Sequence, residues 1–165
     1  MRAVERDFAE FVDAELPRLH GLAYALTGDP HDAWDLAQET LTRIGARWPR
    51  MQEVDDPASY ARTVLVRVNI DRLRRLLREH PAAEPHDAPH HDKPPQGIES
   101  WVEEALRSLT PRQRTAVVLR FVEDLDHAGI AARMGCSVGT ARSHLSRGLE
   151  RIRQFSPTPV HGREA

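Results

Sequence analysis

The stretch Gly135-Cys136-Ser137-Val138-Gly139-Thr140-Ala141-Arg142-Ser143-His144-Leu145-Ser146-Arg147-Gly148-Leu149 decides how this chain is read. A short Gly-containing turn ends one helix, from about Asp126 to Met134, and Ser137 is a good N-cap for another that continues to about Gln154. Such a turn sets consecutive helices at a steep angle. Val138, Ala141, Leu145, Leu149 and Ile152 recur at spacings of three and four, so one stripe of the second helix packs inward. At about 100° per residue, Thr140, Ser143 and Arg147 lie nearly opposite that stripe, with Gly139, His144 and Ser146 beside them. Small hydrogen-bonding groups near a helix N-terminus are what a recognition helix offers to base edges in the major groove. Arg142 lies nearer the core flank, where its stem covers apolar surface and its guanidinium reaches out. Arg151 and Arg153 suit phosphate contacts. The competing reading is a plain amphipathic pair in a bundle, but a purely solvated face normally carries more Glu and Lys.

Upstream of this pair, Thr110-Pro111-Arg112-Gln113 is a capping box with Pro at the first helical position, opening a helix through Ala116, Val117, Leu119 and Arg120. Ile98, Trp101, Val102, Ala105, Leu106 and Leu109 mark a helix before it. Residues 98–155 thus form a small helical domain, followed by a short disordered tail over 156–165. Residues 80–97 hold five prolines, four histidines and almost no aliphatic side chain, so they read as a flexible linker. His80, His86, His90 and His91 could in principle ligate a metal, but with no fixed scaffold their spacing is unspecific, and no metal site is assigned.

Residues 4–79 form a second helical domain of about three helices. Phe8, Phe11, Val12, Leu16, Leu19, Leu22, Ala23 and Leu26 follow helical spacing up to Thr27-Gly28-Asp29-Pro30. Asp29 and Pro30 are an N-cap and first-turn pair for a helix through Ala33, Leu36, Ala37, Thr40, Leu41 and Ile44. A third helix starts near Pro57 and ends near Glu79. The fold class is therefore all-α, two small domains joined by a Pro/His-rich linker, with no strand pattern or repeat.

The net charge of −2 hides a segregation. Met1 to Ala61 holds six Arg against twelve acidic residues, whereas Arg62 to Arg78 holds six Arg against Asp71 alone, and Thr140 to Arg153 four Arg against Glu150. Two compact basic stretches predict two contacts with polyanion, and the acidic remainder predicts a protein partner. Cys136 is the only cysteine, which excludes an intrachain disulfide or thiolate cluster. No apolar run approaches the roughly 18 residues of a membrane helix, and no signal-peptide stretch follows Met1, so a cytoplasmic protein without membrane insertion is expected. No catalytic constellation is present: there is no Ser-His-Asp order, phosphate loop or zinc motif. Neither a cofactor nor a small-molecule substrate is called for, and the chain is read as a non-enzyme.

Arg112-Gln113-Arg114 with Val117-Val118-Leu119-Arg120-Phe121, followed by the Gly135 to Gly148 stretch, resembles the fourth conserved region of small bacterial sigma factors. Ala25-Leu26-Thr27-Gly28-Asp29 and Asp32-Ala33-Trp34-Asp35-Leu36-Ala37-Gln38-Glu39 resemble their second region. The layout is similar to extracytoplasmic-function sigma factors of the sigma-70 superfamily, most like the actinobacterial sigma-E-type group. The resemblance implies that Asp32, Asp35, Leu36, Gln38 and Glu39 bind core RNA polymerase. It implies that the third helix melts promoter DNA and reads the minus-10 element, through Arg62, Arg67, Asn69, Asp71, Arg72, Arg74 and Arg75, with Tyr60 a possible stacking platform. For the recognition helix it implies contacts to the minus-35 element from Gly139, Thr140, Arg142, Ser143, His144, Ser146 and Arg147. An anti-sigma protein is a further possible partner.

Independently of the resemblance, Asp35, Gln38 and Glu39 share a helix face suited to an Arg-rich partner, and an Arg67–Asp71–Arg75 ladder is the favoured role for Asp71. The sequence departs from the family's usual residues at Trp34, Arg67, Ala141 and His144. Two other readings stay open: a homodimeric helix-turn-helix regulator that needs no polymerase, and a scaffolding module.

Overall fold

The computed structural model describes residues 2–51, 53–79 and 99–157. The linker with its four histidines and the end of the tail fall outside them. Among the described residues the only regular structure is helical.

Helix α1 (Arg2–Thr27) buries Leu19, Ala23, Tyr24 and Leu26. It stops at Gly28, whose φ of +69° is a left-handed conformation that glycine adopts without steric cost. Helix α2 (Pro30–Gly45) starts as the sequence predicts: the Asp29 Oδ1 accepts from the Asp32 N–H at 2.9 Å, with Pro30 at the first position. The short helix α3 (Trp48–Met51), unforeseen in the sequence, seats Trp48 against Phe8 and Phe11, with ring centroids 5.2 and 4.8 Å apart. It makes the first domain four helices rather than three. Helix α4 (Pro57–Glu79) buries Ala61, Leu65, Val66 and Val68 against α1 and α2.

The second half holds α5 (Ser100–Ser108), α6 (Pro111–Phe121), α7 (His127–Met134) and α8 (Val138–Phe155). Both halves of the Thr110–Gln113 capping box form, at 3.3 and 3.1 Å. Asp126 and Ser137 cap α7 and α8, and Gly135 ends α7 at φ +68°. Helices α5, α6 and α7 all pack on α8, where Gly148 lets α6 approach so closely that an added Cβ would lie 3.0 Å from Val117 Cγ2.

The two halves are docked. Helix α6 packs on α1 and α4, and one hydrophobic cluster runs from Leu19, Leu36 and Leu65 of the first half to Leu106, Leu119 and Ile130 of the second.

Candidate nucleic-acid interface

On α8, Ala141, Leu145 and Gly148 are buried, which turns the opposite face outward. Gly139, Thr140, Arg142, Ser146 and Arg147 are exposed, Ser143 and His144 are half-buried, and Arg151 and Arg153 are exposed further along. The Ser137 hydroxyl both caps the helix, accepting from the Thr140 N–H at 3.1 Å, and donates to Thr140 Oγ1 at 2.8 Å. Val138 corrects the sequence reading: counted in the inward stripe, it is 43% exposed, because it is the first residue of α8 and stands a turn ahead of Ala141, where burial begins. The face therefore carries hydroxyls and guanidinium groups over the first turns, with cations behind them. This is the division between base-edge and phosphate contacts that a recognition helix needs.

Helix α4 carries the second basic surface. Arg67, Asp71, Arg74 and Arg75 are exposed, and Arg62 and Arg72 half-buried. The predicted Arg67–Asp71–Arg75 ladder does not form. Asp71 turns instead toward α2, 4.0 Å from Arg43 Nη1, because the basic end of α2 lies alongside. Asn69 is only 9% exposed, and its side-chain amide donates to Thr115 Oγ1 of α6 at 3.5 Å. Tyr60 and Arg67 line a small cavity of about 180 Å³ together with Arg43, Arg47 and Asp71. Arg43 and Arg47 were missed in the sequence, where nothing but their place in the last turn of α2 and just beyond it signals that they line a cavity with α4.

The acidic face of α2 exposes Asp32, Asp35 and Gln38. Leu36, assigned to the same partner-binding set, is fully buried and belongs to the core, since its position at i+3 from Ala33 puts it on the inward stripe. Glu39 is held between Arg43 Nη2 and Arg72 Nη2, both at 2.7 Å. Burial would push its carboxyl up, but the bonds and charge of Arg72, then Arg43, outweigh this and hold it below its ordinary value. Asp32 moves the other way, raised by burial of its carboxyl and then by the charges of Asp29 and Asp35. Trp34 is 44% exposed and stacks on His20, with centroids 4.1 Å apart. An acidic face bearing an exposed aromatic suits a cationic protein partner.

Arg114, quoted in the sequence only as part of a motif, was given no role there either. Arg114 is 1% exposed, and its Nη2 and Nε donate to the Leu109 carbonyl at 2.8 and 3.2 Å. Its Nη1 donates to the Thr27 carbonyl at the end of α1, placing a cation on the negative pole of that helix. The available signal was its spacing: Arg114 lies four residues before the buried Val118, on the inward face of α6.

Fold and surfaces together define an all-helical helix-turn-helix protein with one basic helix surface in each half and an acidic face on α2. The family model for sigma-70 region 2 matches residues 11–79, and that for sigma-70 region 4 matches residues 99–152. The chain is 33% identical over 150 residues to the RNA polymerase sigma-E factor of Streptomyces coelicolor, covering 90% of this chain and 85% of that protein. It is 34% identical over 150 residues to the sigma-E factor of Streptomyces avermitilis, covering 90% and 84%. The sigma factor RpoE of Bartonella quintana, solved in complex with the anti-sigma factor NepR, shares the fold, with a TM-score of 0.56 at 24% identity over 91% of this chain and 96% of that one. The chain belongs to the sigma-70 family of RNA polymerase sigma factors, in its extracytoplasmic-function group.

Proposed function

We propose that the first domain binds core RNA polymerase through Asp32, Asp35, Gln38 and Glu39 of α2 and opens and reads the minus-10 element along α4, while α8 reads the minus-35 element. The observation that carries this reading is the pairing of two separate basic helices with one acidic face. A single-site repressor needs one basic helix, whereas a factor that bridges polymerase and a two-part promoter needs all three.

The division of labour follows from each surface. Thr140, Arg142, Ser143, Ser146 and Arg147 stand where a duplex major groove would seat, with Gly139 allowing close approach and His144 at the flank. Arg151 and Arg153 meet phosphates. On α4 a single strand needs a cationic track, supplied by Arg62, Arg67, Arg72, Arg74 and Arg75, and a platform for a base, for which Tyr60 at its cavity is suited. Arg43 and Arg47 extend that track. No catalytic chemistry is assigned to this chain; bond formation belongs to the polymerase. No helix among the described residues is long and apolar enough to cross a membrane, and the reading sets the protein to work in the cytoplasm. A separate anti-sigma protein that covers the acidic face is compatible with it.

Run-off transcription with purified core polymerase and genomic promoter fragments tests the proposal. Discrete transcripts that need this chain, from start sites sharing two spaced elements, are expected. Transcripts that are unchanged when the chain is left out would overturn it.

A further inference from the structure

Val138 is the one large apolar side chain left exposed among the described residues of α8. A lone exposed valine is ordinary on a protein surface. This one stands at the leading edge of the helix whose other outward residues are hydroxyls, a glycine and guanidinium groups. Side chains on a helix lean toward its start, so Val138 at the first position projects ahead of the helix body, while Ala141 and Leu145 behind it are buried. Around the axis it lies about 40° from Arg142, four residues on, so the two share a flank.

The surroundings leave this edge open and mainly apolar. An added Cβ on the adjoining Gly139 would meet nothing within 4 Å, so no part of the chain stands in the way of a close approach. The Ser137 hydroxyl is engaged inside the turn, accepting from the Thr140 N–H at 3.1 Å and donating to Thr140 Oγ1 at 2.8 Å. What the first turn puts forward beside Gly139 is therefore the isopropyl group of Val138.

Base edges in the major groove offer acceptors, amino donors and a single apolar group, the 5-methyl of thymine. A valine has nothing to exchange with an acceptor or a donor, and covering one costs that group its water without a replacement bond. Against the thymine methyl the same side chain removes apolar surface from water on both partners. We infer that Val138 is a further specificity residue of α8, packing on the 5-methyl group of a thymine in the minus-35 element beside the base pair that Arg142 meets. The inference rests on the reading of α8 as the minus-35 helix and adds an apolar contact to its polar ones.

Replacing thymine by deoxyuridine tests it, because the exchange removes the 5-methyl group and leaves every hydrogen-bonding group of the base in place. Duplexes are selected from a random pool by the full chain in the presence of core polymerase. Each thymine of the enriched minus-35 element is then replaced singly. Wild type is expected to bind about fourfold more weakly at one such position, the worth of one buried methyl group. Val138→Ala and Val138→Ser, both with unchanged far-UV helicity, are expected to bind the thymine and deoxyuridine forms equally. Wild type insensitive at every thymine, or a sensitivity that persists in the variants, would overturn the assignment. If both variants lose helicity, the wild-type scan alone decides. Methyl dependence in selected complexes that lack core polymerase would remove the polymerase part of the functional reading and leave the Val138 contact standing. A selection that enriches no sequence would remove the α8 reading and the contact together.

Discussion

The guanidinium of Arg114 in α6 closes on the backbone carbonyl of Thr27, the last residue of α1, while its other nitrogens hold Leu109. A cation this deeply buried is an unusual component of a small helical protein, and its partners are carbonyls at helix ends that would otherwise lack donors. Replacing it with Met keeps volume but strands those acceptors. Arg114→Met is expected to lower unfolding stability by about 2–4 kcal/mol in urea melts, against no more than about 0.5 kcal/mol for the exposed Arg153→Ala. Equal melts would show that the guanidinium contributes nothing beyond its bulk.

The helix starts should each be separable by a small, definite amount. Thr110→Ala removes one half of a complete capping box and Asp29→Ala removes the acceptor for the Asp32 N–H. Each is expected to cost about 1 kcal/mol in chemical denaturation, with Thr110→Ala and Gln113→Ala losing less together than the sum of the two alone. Strict additivity would contradict the reciprocal geometry.

His20 gives the stability a pH dependence of known sign. Burial lowers its pKa from the ordinary 6.5, opposed by a hydrogen bond to the Pro30 backbone, and its Nε2 is buried without a hydrogen-bond partner. The unfolded chain therefore takes up the proton first. The stabilising contribution is complete above about pH 6.5 and is lost as pH falls from there through the folded value. Stability followed by Trp34 fluorescence should drop on acidification through this window in wild type and drop less in His20→Gln. Identical profiles would assign the titration elsewhere.

How far the fold was legible depends on which physics set each element. Asp29, Thr110, Ser137 and Gly135 were readable because capping is local: the side chain and its backbone partner lie within four residues. Trp48 was not, since α3 seats that ring against Phe8 and Phe11, 40 and 37 residues away along the chain. On the surfaces, helical spacing placed Thr140 and Arg147 away from the core and Leu36 in the apolar stripe that the fold buries, yet it put Val138 inward; Leu36 entered the partner-binding set only through the family resemblance. The Asp71 ladder failed for a related reason: i,i+4 spacing sees only one helix, and Arg43 of α2 is the nearer charge. The docking of the two halves was not legible: Arg114 shares the inward register of α6 with Val118 but its charge marks it as a surface residue, and Asn69 and Arg74 look like ordinary surface residues until a second domain covers them.

Arg147 and Arg153 should separate base reading from phosphate binding. Arg147→Ala is expected to weaken duplex binding by about 1–3 kcal/mol and to relax specificity at one position. Arg153→Ala should weaken binding uniformly across sequences and lower the salt slope by about one. Binding isotherms over a salt series on matched and mismatched duplexes check both. If the two variants behave alike, the division of labour along α8 is wrong.

In the proposed function core RNA polymerase carries this chain to promoters through the α2 face, and gel filtration of the mixed proteins reads that contact directly. Wild type should co-elute with core polymerase, and the Asp35→Ala, Gln38→Ala, Glu39→Ala triple variant should elute separately while keeping its helicity. Wild type eluting on its own, above all as a dimer, would contradict the account and favour a regulator that binds DNA without polymerase.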